Sequence, residues 1–322
     1  MGRIVHATMW DVIIVTGEAL VDLVIEPDGE VTAVLGGAPF NTARAAARLG
    51  ASVQFLGALA TDRFGSLLHD ALTSDGVGVD HAPRTERPTT LAAAELDPRG
   101  AAEYRFYIDG TSAPELTTGD VASLEVVPEV VFTGGLGLVL EPMAQSIVAL
   151  VEGLSDDTTV FVDINCRPQI IADRETYLER IWRVLRRADV VKVSDEDLAY
   201  LLPGVEVAAA ADELLRRGPA AVVVTHGSAA TFLTTTRGSR NIAVPAPPGA
   251  IIDTIGAGDT FGAALLVAWT AAGTHRSRLR IDHVLDDLAR AVEAAHAAAA
   301  VVVTRRGANP PWRNELPETW AS

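Results

Sequence analysis

The feature that most limits the possible folds is a regular alternation between short apolar runs and longer amphipathic runs. W-D-V-I-I-V-T (10–16) and residues 159–164 are rich in Val and Ile, as is typical of buried parallel strands. Residues 174–187 follow one such run and show a helical period. Strands that alternate with helices predict an α/β fold with a mainly parallel central sheet and helices on both faces. No internal repeat or low-complexity linker divides residues 1–322, so we expect one domain.

A glycine-rich stretch, D-T-I-G-A-G-D-T-F-G-A-A (253–264), leads into an apolar helical run. The first N–H groups of a helix have no partner within it, and the helix dipole adds partial positive charge at the same end. Gly256 and Gly258 lack side chains, so a phosphoryl group can approach these N–H groups closely. Asp259 follows in the first turn, where a carboxylate can take a proton from an attacking hydroxyl. The alternative is that Asp259 only caps the helix.

A second group of candidate ligand-binding residues lies nearer the N-terminus. Asp22 follows the first strand, at the edge where open α/β sheets bind ligands, although a solvated turn residue is the commoner role for such an Asp. In G-G-A-P-F-N (36–41), the paired glycines allow a ligand to approach the backbone. Asn41 offers donors and acceptors to hydroxyl groups, or it caps the helix that begins near Pro39.

Two segments interrupt the alternation of strands and helices. Residues 31–35 form a short apolar run, and residues 88–108 read as a β-hairpin around the turn D-P-R-G (97–100). We expect strands inserted at about 21–35 and 88–108 to form a small β-sheet lid over the ligand site. Such a cover excludes water, which competes as an acceptor in phosphoryl transfer.

Charge and motifs exclude several classes of function. The formal net charge is −16 and the pI is about 4.8, which argues against a nucleic-acid partner. The glycine-rich stretch lacks the Gly-Lys-Ser/Thr end of a P-loop, and it lies too late in the chain for a dinucleotide fingerprint. No apolar run reaches the roughly 18 residues needed to span a membrane, and no signal-peptide pattern precedes the first strand. Cys166 is the single cysteine, which fits a reducing compartment, so we expect a cytoplasmic protein without a membrane partner.

With these features together, the chain resembles the ribokinase-like, or PfkB, family of carbohydrate kinases over about residues 12–311. G-G-A-P-F-N-T-A (36–43) matches the early signature of the family, and D-T-I-G-A-G-D-T-F (253–261) matches its late one. Four further stretches look most like bacterial fructokinases: G-E-A-L-V-D-L (17–23), R-P-T-T-L-A (87–92), D-I-N-C-R-P (163–168) and K-V-S-D-E-D (192–197). The resemblance implies a ribokinase-like fold and transfer of the ATP γ-phosphoryl group to a sugar hydroxyl, with Mg²⁺ on the phosphates.

The resemblance also implies roles for individual residues. Asp259 is the expected catalytic base, and the expected anion hole is the backbone of Gly256, Ala257 and Gly258. The expected sugar-site residues are Asp22, Gly36, Gly37, Asn41, Tyr107, Asp163, Asn165 and Arg167. The expected ATP-site residues are Lys192, Ser194, Thr225, Gly227, Thr254, Gly256 and Gly258. Asp197 is expected to reach Mg²⁺ through water, and Asp253 to hold a monovalent cation such as K⁺.

Two departures from the family pattern bear on the metal and the substrate. Ser194 and Asp197 stand where many members have an Asn-x-x-Glu motif, and they also fit a helix cap with its third-position partner. Ile108 stands where 2-keto-3-deoxygluconate kinases usually carry an Arg, which favours a neutral sugar such as fructose. Arg167 could still meet a sugar-acid carboxylate, so 2-keto-3-deoxygluconate, ribose and nucleosides stay as alternative acceptors.

A non-catalytic sugar- or nucleotide-binding regulator with the same fold is the alternative from a different class. Asp259 and its flanking glycines argue against it, because a protein that only binds needs no base. The expected partners are therefore a small-molecule sugar and ATP. A homodimer formed through the lid is a further expectation, because an exposed sheet edge favours pairing with a second chain.

Overall fold

The computed structural model describes residues 12–97, 102–271 and 284–321. In chain order, its strands are β1 (Val12–Thr16), β2 (Leu20–Ile25), β3 (Val31–Gly36), β4 (Ser52–Leu56), β5 (Leu59–Ala60), β6 (Arg84–Thr85), β7 (Leu91–Leu96), β8 (Ala102–Tyr107), β9 (Val130–Gly134), β10 (Thr159–Asp163), β11 (Val190–Ser194), β12 (Ala221–Thr225), β13 (Thr231–Thr235) and β14 (Gly238–Ile242). Its α-helices are α1 (Ala38–Arg48), α2 (Arg63–Ser74), α3 (Thr118–Ala122), α4 (Met143–Gly153), α5 (Arg174–Arg187), α6 (Asp195–Leu201), α7 (Val207–Arg216), α8 (Ala257–Ala271) and α9 (Val284–Val302).

An eight-stranded sheet in the order β14-β13-β12-β11-β10-β9-β1-β4 forms the centre of the fold. The six strands β12, β11, β10, β9, β1 and β4 run parallel to one another. At one edge of the sheet, β13 is antiparallel to both β12 and β14. The prediction of a mainly parallel α/β sheet is confirmed. Because parallel strands end at a common edge, the loops that follow β1, β9, β10 and β11 lie side by side, and ligands bind at this edge in open α/β sheets.

Alternate side chains of the central strands enter two apolar cores on opposite faces of the sheet. In β1, Ile13 and Val15 pack into the core that α1, α2, α8 and α9 complete, whereas Ile14 packs into the core that α4, α5, α6 and α7 complete. Both faces of the inner strands are therefore apolar, which is why these strands read as continuous Val and Ile runs in the sequence. The prediction of helices on both faces is confirmed.

A separate four-stranded sheet has the order β3-β2-β7-β8, and we call it the lid sheet. β2 is antiparallel to β3, β7 is antiparallel to β8, and a parallel pairing of β2 with β7 joins the two hairpins. The lid sheet thus combines the two segments that interrupt the alternation in the sequence. Parts of four elements predicted from the sequence lie outside the described residues: 10–11 of the first strand, 98–100 of the hairpin turn, 272 at the end of the helix after the glycine-rich stretch, and 281–283 of a last helix predicted over 281–303.

Two strand boundaries differ from the sequence-based expectation. The sequence predicts one strand over 52–59, but β4 ends at Leu56, and Leu59–Ala60 pairs separately with Arg84–Thr85. The sequence also predicts a late hairpin with strands at 231–236 and 241–244. The hairpin is present, but its second strand is Gly238–Ile242, so the expected bounds 241–244 were wrong. This edge strand exposes four of its five residues, and its polar start, G-S-R-N, therefore carries no apolar signal.

Helix α8 is apolar around most of its circumference. It is buried along most of its length, and Trp269 near its end is 1% exposed. Such a helix belongs either to a protein interior or to a membrane, and here α1 and α9 pack against it. Among the helices of the described ranges, none is both long and apolar enough to cross a membrane.

Gly134 at the end of β9 provides a test of how tightly this edge of the sheet is packed. A Cβ at position 134 would overlap the carbonyl oxygen of Asp163 in the neighbouring strand β10. We expect Gly134→Ala to lower the free energy of unfolding by about 2 kcal/mol, because overpacked core positions cost about 1–3 kcal/mol. Urea unfolding followed by Trp fluorescence measures this loss. Gly153→Ala is the control, because a Cβ there meets nothing within 4 Å, and equal losses in the two variants would contradict the packing.

Candidate active site

A cavity of about 620 Å³ lies between the carboxyl edge of the central sheet and the lid sheet. The loops after β1 and β10, the start of α1, the glycine-rich loop before α8 and strand β8 all contribute to its wall. Many of the expected site residues line it together: Asp22, Gly37, Asn41, Asn165, Arg167, Asp197, Thr254, Gly256, Gly258 and Asp259. Residues that are far apart in sequence thus share one cavity at the edge where this fold class binds ligands.

Asp259 is the third residue of α8 and lines this cavity. Its Oδ2 accepts a hydrogen bond of 2.8 Å from Nδ2 of Asn41 in α1. The carboxylate therefore lies inside the first turn rather than at the N-cap, and its partner is a side chain of another helix. This contact does not fit the alternative in which Asp259 only caps α8. Asp259 and Asn41 form a polar pair that joins the two glycine-rich helix starts.

The surroundings of Asp259 make it a stronger base than an ordinary Asp. Burial raises the pKa of Asp259 to about 6, and the negative charge of Asp163 contributes to the rise. The hydrogen bond from Asn41 and the charges of Lys192 and Arg167 act in the opposite direction. A carboxylate with a pKa near 6 is mostly ionised at neutral pH and holds a proton better than an exposed Asp does. It is suited to accepting a proton from a hydroxyl in the cavity.

The glycine-rich loop places the start of α8 at the cavity. Gly256 has φ +74°, a left-handed conformation that favours glycine. The first hydrogen bond of the helix runs from the Thr260 N–H to the Gly256 carbonyl, so the earlier N–H groups have no partner within the helix. The Ala257 N–H donates to the Thr254 carbonyl at 3.2 Å, whereas Gly256 and Gly258 line the cavity. Of the three residues expected to form the anion hole, Gly256 and Gly258 are therefore the two that an anion in the cavity can reach.

Asp22 lies in β2 of the lid sheet, beside Gly36 of β3. A Cβ at Gly36 would overlap the carboxylate of Asp22, so glycine at position 36 makes room for this side chain. Gly37 has φ +107° and is the N-cap of α1. Burial raises the pKa of Asp22 to about 6, the charge of Asp259 adds to the rise, and Arg167 opposes it. Asp22 is thus a cavity residue that shares its space with Asp259, and not the solvated turn residue of the alternative.

Asp163, the last residue of β10, and Lys192, in the middle of the neighbouring strand β11, form a buried ion pair. Oδ2 of Asp163 and Nζ of Lys192 are 2.7 Å apart. The pair lies beneath Gly258 and Gly262 of α8, directly behind the cavity wall. Burial raises the pKa of Asp163, while the charge of Lys192 lowers it. Within the described residues, Oδ1 of Asp163 has no hydrogen-bond partner, so this oxygen is available to a ligand or ion.

The loop after β10 brings Asn165 and Arg167 to the cavity. Nη1 of Arg167 donates to Oδ1 of Asn165 at 2.6 Å and to the Cys166 carbonyl at 2.9 Å. Asn165 has φ +42°, and such left-handed residues other than glycine cluster at functional sites. The positive charge of Arg167 opposes the rise in pKa of three carboxylates that line the cavity: Glu18, Asp22 and Asp259. Arg167 is the cation around which these carboxylates are grouped.

Ser194 and Asp197 form a capping box at the start of α6. The Asp197 N–H donates to Oγ of Ser194 at 3.0 Å, and the Ser194 N–H donates to Oδ2 of Asp197 at 3.2 Å. Oδ1 of Asp197 accepts from the Cys166 N–H at 2.8 Å, so both carboxylate oxygens have backbone partners. The helix-cap interpretation of Ser194 is confirmed. The register partner of Ser194 in β12 is Thr225, and Gly227 lies two residues further on. Neither residue is among those that line the cavity.

Asp253 holds the glycine-rich loop in place from its N-terminal side. Its Oδ1 accepts the Ile255 N–H and its Oδ2 accepts the Gly307 N–H, each at 2.9 Å. These bonds tie the loop to the segment that follows α9. Within the described ranges, no group of three or more His, Cys, Asp or Glu side chains could hold a metal ion by itself. A monovalent cation at Asp253 would need backbone carbonyls as well, and it stays a prediction.

The structure does not place Tyr107 in the cavity, which corrects the sequence-based expectation. Tyr107 is 53% exposed, and the cavity is lined instead by Tyr104 and Phe106 of the same strand. Successive side chains of a strand point to opposite faces, so an assignment that is wrong by one residue selects the wrong face. The aromatic composition of β8 indicates a strand but not which residues face the cavity.

Several cavity residues were not expected from the sequence: Glu18, Tyr104, Phe106, Gln169, Glu196 and Tyr200. Glu18 is the most informative of them, because it is 3% exposed and burial raises its pKa to about 7. Glu18 could have been identified by the same signal as Asp22, because it is a carboxylate that comes directly after an apolar strand and its closing glycine.

The sequence and the fold match known proteins over almost the whole chain. Residues 7–315 match the family model described as pfkB family carbohydrate kinase. A fructokinase of Rhizobium leguminosarum bv. trifolii is 35% identical over 261 residues, which cover 80% of this chain and 79% of that protein. A relative above 30% identity over this share of both chains has the same fold and belongs to the same family.

Two solved structures are similar over nearly their full length. A fructokinase from Xylella fastidiosa with bound ATP has a TM-score of 0.83 and 26% identity, with 95% of each chain covered. An aminoimidazole riboside kinase from Salmonella enterica has a TM-score of 0.79 and 26% identity, with 97% of this chain and 99% of that chain covered. The predicted ribokinase-like fold is confirmed, and the chain belongs to the pfkB family of carbohydrate kinases.

Proposed function

We propose that this protein is an ATP-dependent fructokinase, which transfers the γ-phosphoryl group of ATP to a hydroxyl of fructose. The observation that carries the proposal is the contact of 2.8 Å between Asp259 and Asn41, in a cavity that the start of α8 also lines. A base, a hydroxyl-binding amide and an anion site in one cavity are what sugar phosphorylation requires of a protein. The fructokinases among its relatives support fructose as the acceptor.

In this mechanism Asp259 accepts the proton of the attacking hydroxyl. Its Oδ2 is bound by Asn41, which leaves Oδ1 for the acceptor hydroxyl. Oδ1 of Asn41 is buried without a partner among the described residues, so it can accept a hydrogen bond from a second sugar hydroxyl. The carboxylate of Asp22 can accept from a third. These three side chains orient the sugar so that one hydroxyl faces both the base and the phosphoryl group.

Negative charge on the transferred phosphoryl group is stabilised by groups that the fold has already positioned. The free N–H groups at the start of α8 supply hydrogen bonds and the positive end of the helix dipole. Arg167 lines the same cavity as the carboxylates, and Lys192 lies close behind Gly258. Phosphoryl transfer requires little covalent chemistry from a protein, so this positioning accounts for most of the catalysis.

The carboxylates of the site fit a divalent cation on the nucleotide. Mg²⁺, when bound, neutralises phosphate charge and orients the leaving group. It prefers oxygen ligands and keeps several waters. Oδ1 of Asp163 is unpaired and offers one such oxygen. Both oxygens of Asp197 already accept backbone N–H groups, so Asp197 would meet the ion through water, using its remaining lone pairs.

The activity should depend on pH because two carboxylates of the site must be ionised. The pKa values of Asp22 and Asp259 are each raised to about 6, so we expect kcat/KM for the sugar to fall as the pH is lowered through about 6. Protonation removes an acceptor for a sugar hydroxyl at Asp22 and removes the base at Asp259. Initial rates at low sugar concentration between about pH 5 and pH 9 measure this profile. A profile that stays flat through its acidic half would contradict the assignment.

A nucleoside kinase is the second candidate function. The similarity to the aminoimidazole riboside kinase supports it, as do Tyr104 and Phe106, because aromatic side chains in a cavity can stack on a heterocyclic ring. ADP release with fructose, ribose, 2-keto-3-deoxygluconate, adenosine and aminoimidazole riboside distinguishes the candidates. We expect kcat/KM for fructose to exceed the others by about tenfold or more. A higher value for a riboside would favour the nucleoside kinase, and binding without ADP release would favour the regulator.

Three further expectations belong to this proposal. Val31 and Tyr107 on the lid sheet are 54% and 53% exposed, which supports a homodimer formed through the lid sheet, and light scattering tests it.

A K⁺ site at Asp253 is tested by replacing K⁺ with a large organic cation in the assay. The single free cysteine, Cys166, supports a reducing, cytoplasmic location.

A further inference from the structure

Glu18 is a buried carboxylate that the mechanism above does not use. It follows Gly17 at the end of β1, and it is 3% exposed. Its Oε1 accepts the Ala38 N–H at 3.1 Å, and its Oε2 accepts the Gly137 N–H at 3.0 Å. One side chain therefore joins the start of α1 to the short 3₁₀ turn that follows β9, across the carboxyl edge of the central sheet.

The bond to Ala38 supplies a cap that α1 lacks. The N-cap residue of α1 is Gly37, which has no side chain to accept the first N–H groups of the helix. Glu18 provides this acceptor from a distant part of the chain, and its negative charge lies at the positive end of the helix dipole. A carboxylate at this position therefore fixes where α1 begins.

The start of α1 in turn sets the contact on which the proposed base depends. Asn41 lies one turn after Ala38, and its N–H donates to the Gly37 carbonyl at 2.9 Å. From that turn, Nδ2 of Asn41 reaches Asp259. We propose that Glu18 is a positioning residue for the sugar site, which holds Asn41 against Asp259 by accepting the Ala38 and Gly137 N–H groups together. This inference rests on the proposed function.

The position requires a carboxylate rather than an amide. Both partners of Glu18 are N–H donors, and an ionised carboxylate has only acceptors, whereas Gln would turn an NH₂ group toward one of the donors. The space is closely filled, because a Cβ at Gly135 would lie 2.9 Å from Oε1. Burial raises the pKa of Glu18 to about 7, and the charged side chain that faces it is Arg167, which lowers it.

The test compares Glu18→Gln with a matched buried carboxylate elsewhere. Asp189 is 5% exposed, its Oδ2 accepts the Val160 N–H at 2.9 Å, and it lies at the opposite, N-terminal edge of the sheet. We expect Glu18→Gln to raise the KM for sugar about tenfold while the KM for ATP changes by less than about twofold. Asp189→Asn should lower the thermal stability and leave both KM values unchanged.

The outcomes separate this inference from the proposed function. An unchanged sugar KM in folded Glu18→Gln, with a loss of stability like that of Asp189→Asn, would mean that Glu18 is only structural. If Glu18→Gln does not fold, hydrogen exchange of the wild-type protein tests the inference instead. Added sugar should slow the exchange of both the Ala38 and the Gly137 amides. Slower exchange of only one of these amides would overturn the inference. A wild-type protein that phosphorylates no sugar would overturn the proposed function and this inference with it.

Discussion

Asp259→Asn is expected to lower kcat by about 10³-fold while the KM values for sugar and ATP change by only a few-fold, because a general base typically contributes about 10²–10⁴-fold. The amide oxygen of Asn can still accept the hydrogen bond that Asn41 donates to Oδ2, so the geometry at the start of α8 is kept. The amide cannot take a proton from the acceptor hydroxyl. ADP release at saturating substrates measures the loss, and calorimetric titration with the sugar checks that binding persists.

The control for this variant is a carboxylate that only caps a helix. Asp173 is the N-cap of α5, and its Oδ1 accepts the Glu175 N–H at 2.9 Å. Asn serves nearly as well as Asp at an N-cap, so Asp173→Asn should keep the wild-type rate. If Asp259→Asn retained the wild-type rate as well, Asp259 would be a structural residue and the proposed mechanism would fail.

Arg167→Met should produce the second-largest loss, because Arg167 is the cation around which the carboxylates of the cavity are grouped. We expect kcat/KM to fall by about 10²–10³-fold, the effect of removing one charged stabiliser of a transition state. The variant should also move the acidic limb of the pH profile to higher pH. Arg167 lowers the pKa values of Asp22 and Asp259, so without it both groups bind protons more tightly.

The shift of the pH profile distinguishes this role from a simple loss of binding. Arg183→Met is the control, because Arg183 forms an exposed ion pair with Glu152 and such surface pairs contribute only about 0–1 kcal/mol. It should leave both the rate and the pH profile unchanged. An Arg167→Met variant with reduced kcat/KM but an unshifted acidic limb would show that its charge does not act on the carboxylates.

Much of the fold was predictable because its signals are local in sequence. Val and Ile runs such as 12–16 mark parallel strands that are buried on both faces, and helical periods mark the segments between them. The edge strand β14 was misplaced because most of its residues face solvent and are polar. Likewise, the apolar run over 52–59 gives no sign that Leu59–Ala60 leaves the central sheet to pair with Arg84–Thr85.

The candidate site was predictable where glycines and carboxylates cluster in sequence. The stretch around Asp259 and the paired glycines before Asn41 identified two helix starts, but not that their side chains meet. Tyr107 was wrongly expected in the cavity because the face that a strand residue takes depends on register with its neighbours. Glu18 follows an apolar strand and its closing glycine, but its role could not be predicted because its partners, the Ala38 and Gly137 N–H groups, lie far along the chain. No local pattern reports such contacts.

The most direct test of the central claim is ³¹P NMR of the purified protein with Mg²⁺-ATP and fructose. We expect one fructose phosphate to form for each ADP produced, with no inorganic phosphate, because the lid sheet and the sugar together exclude water from the phosphoryl group. The same spectra identify which hydroxyl accepts the phosphate. ADP accompanied by inorganic phosphate alone, or ATP left intact while fructose binds, would contradict the account.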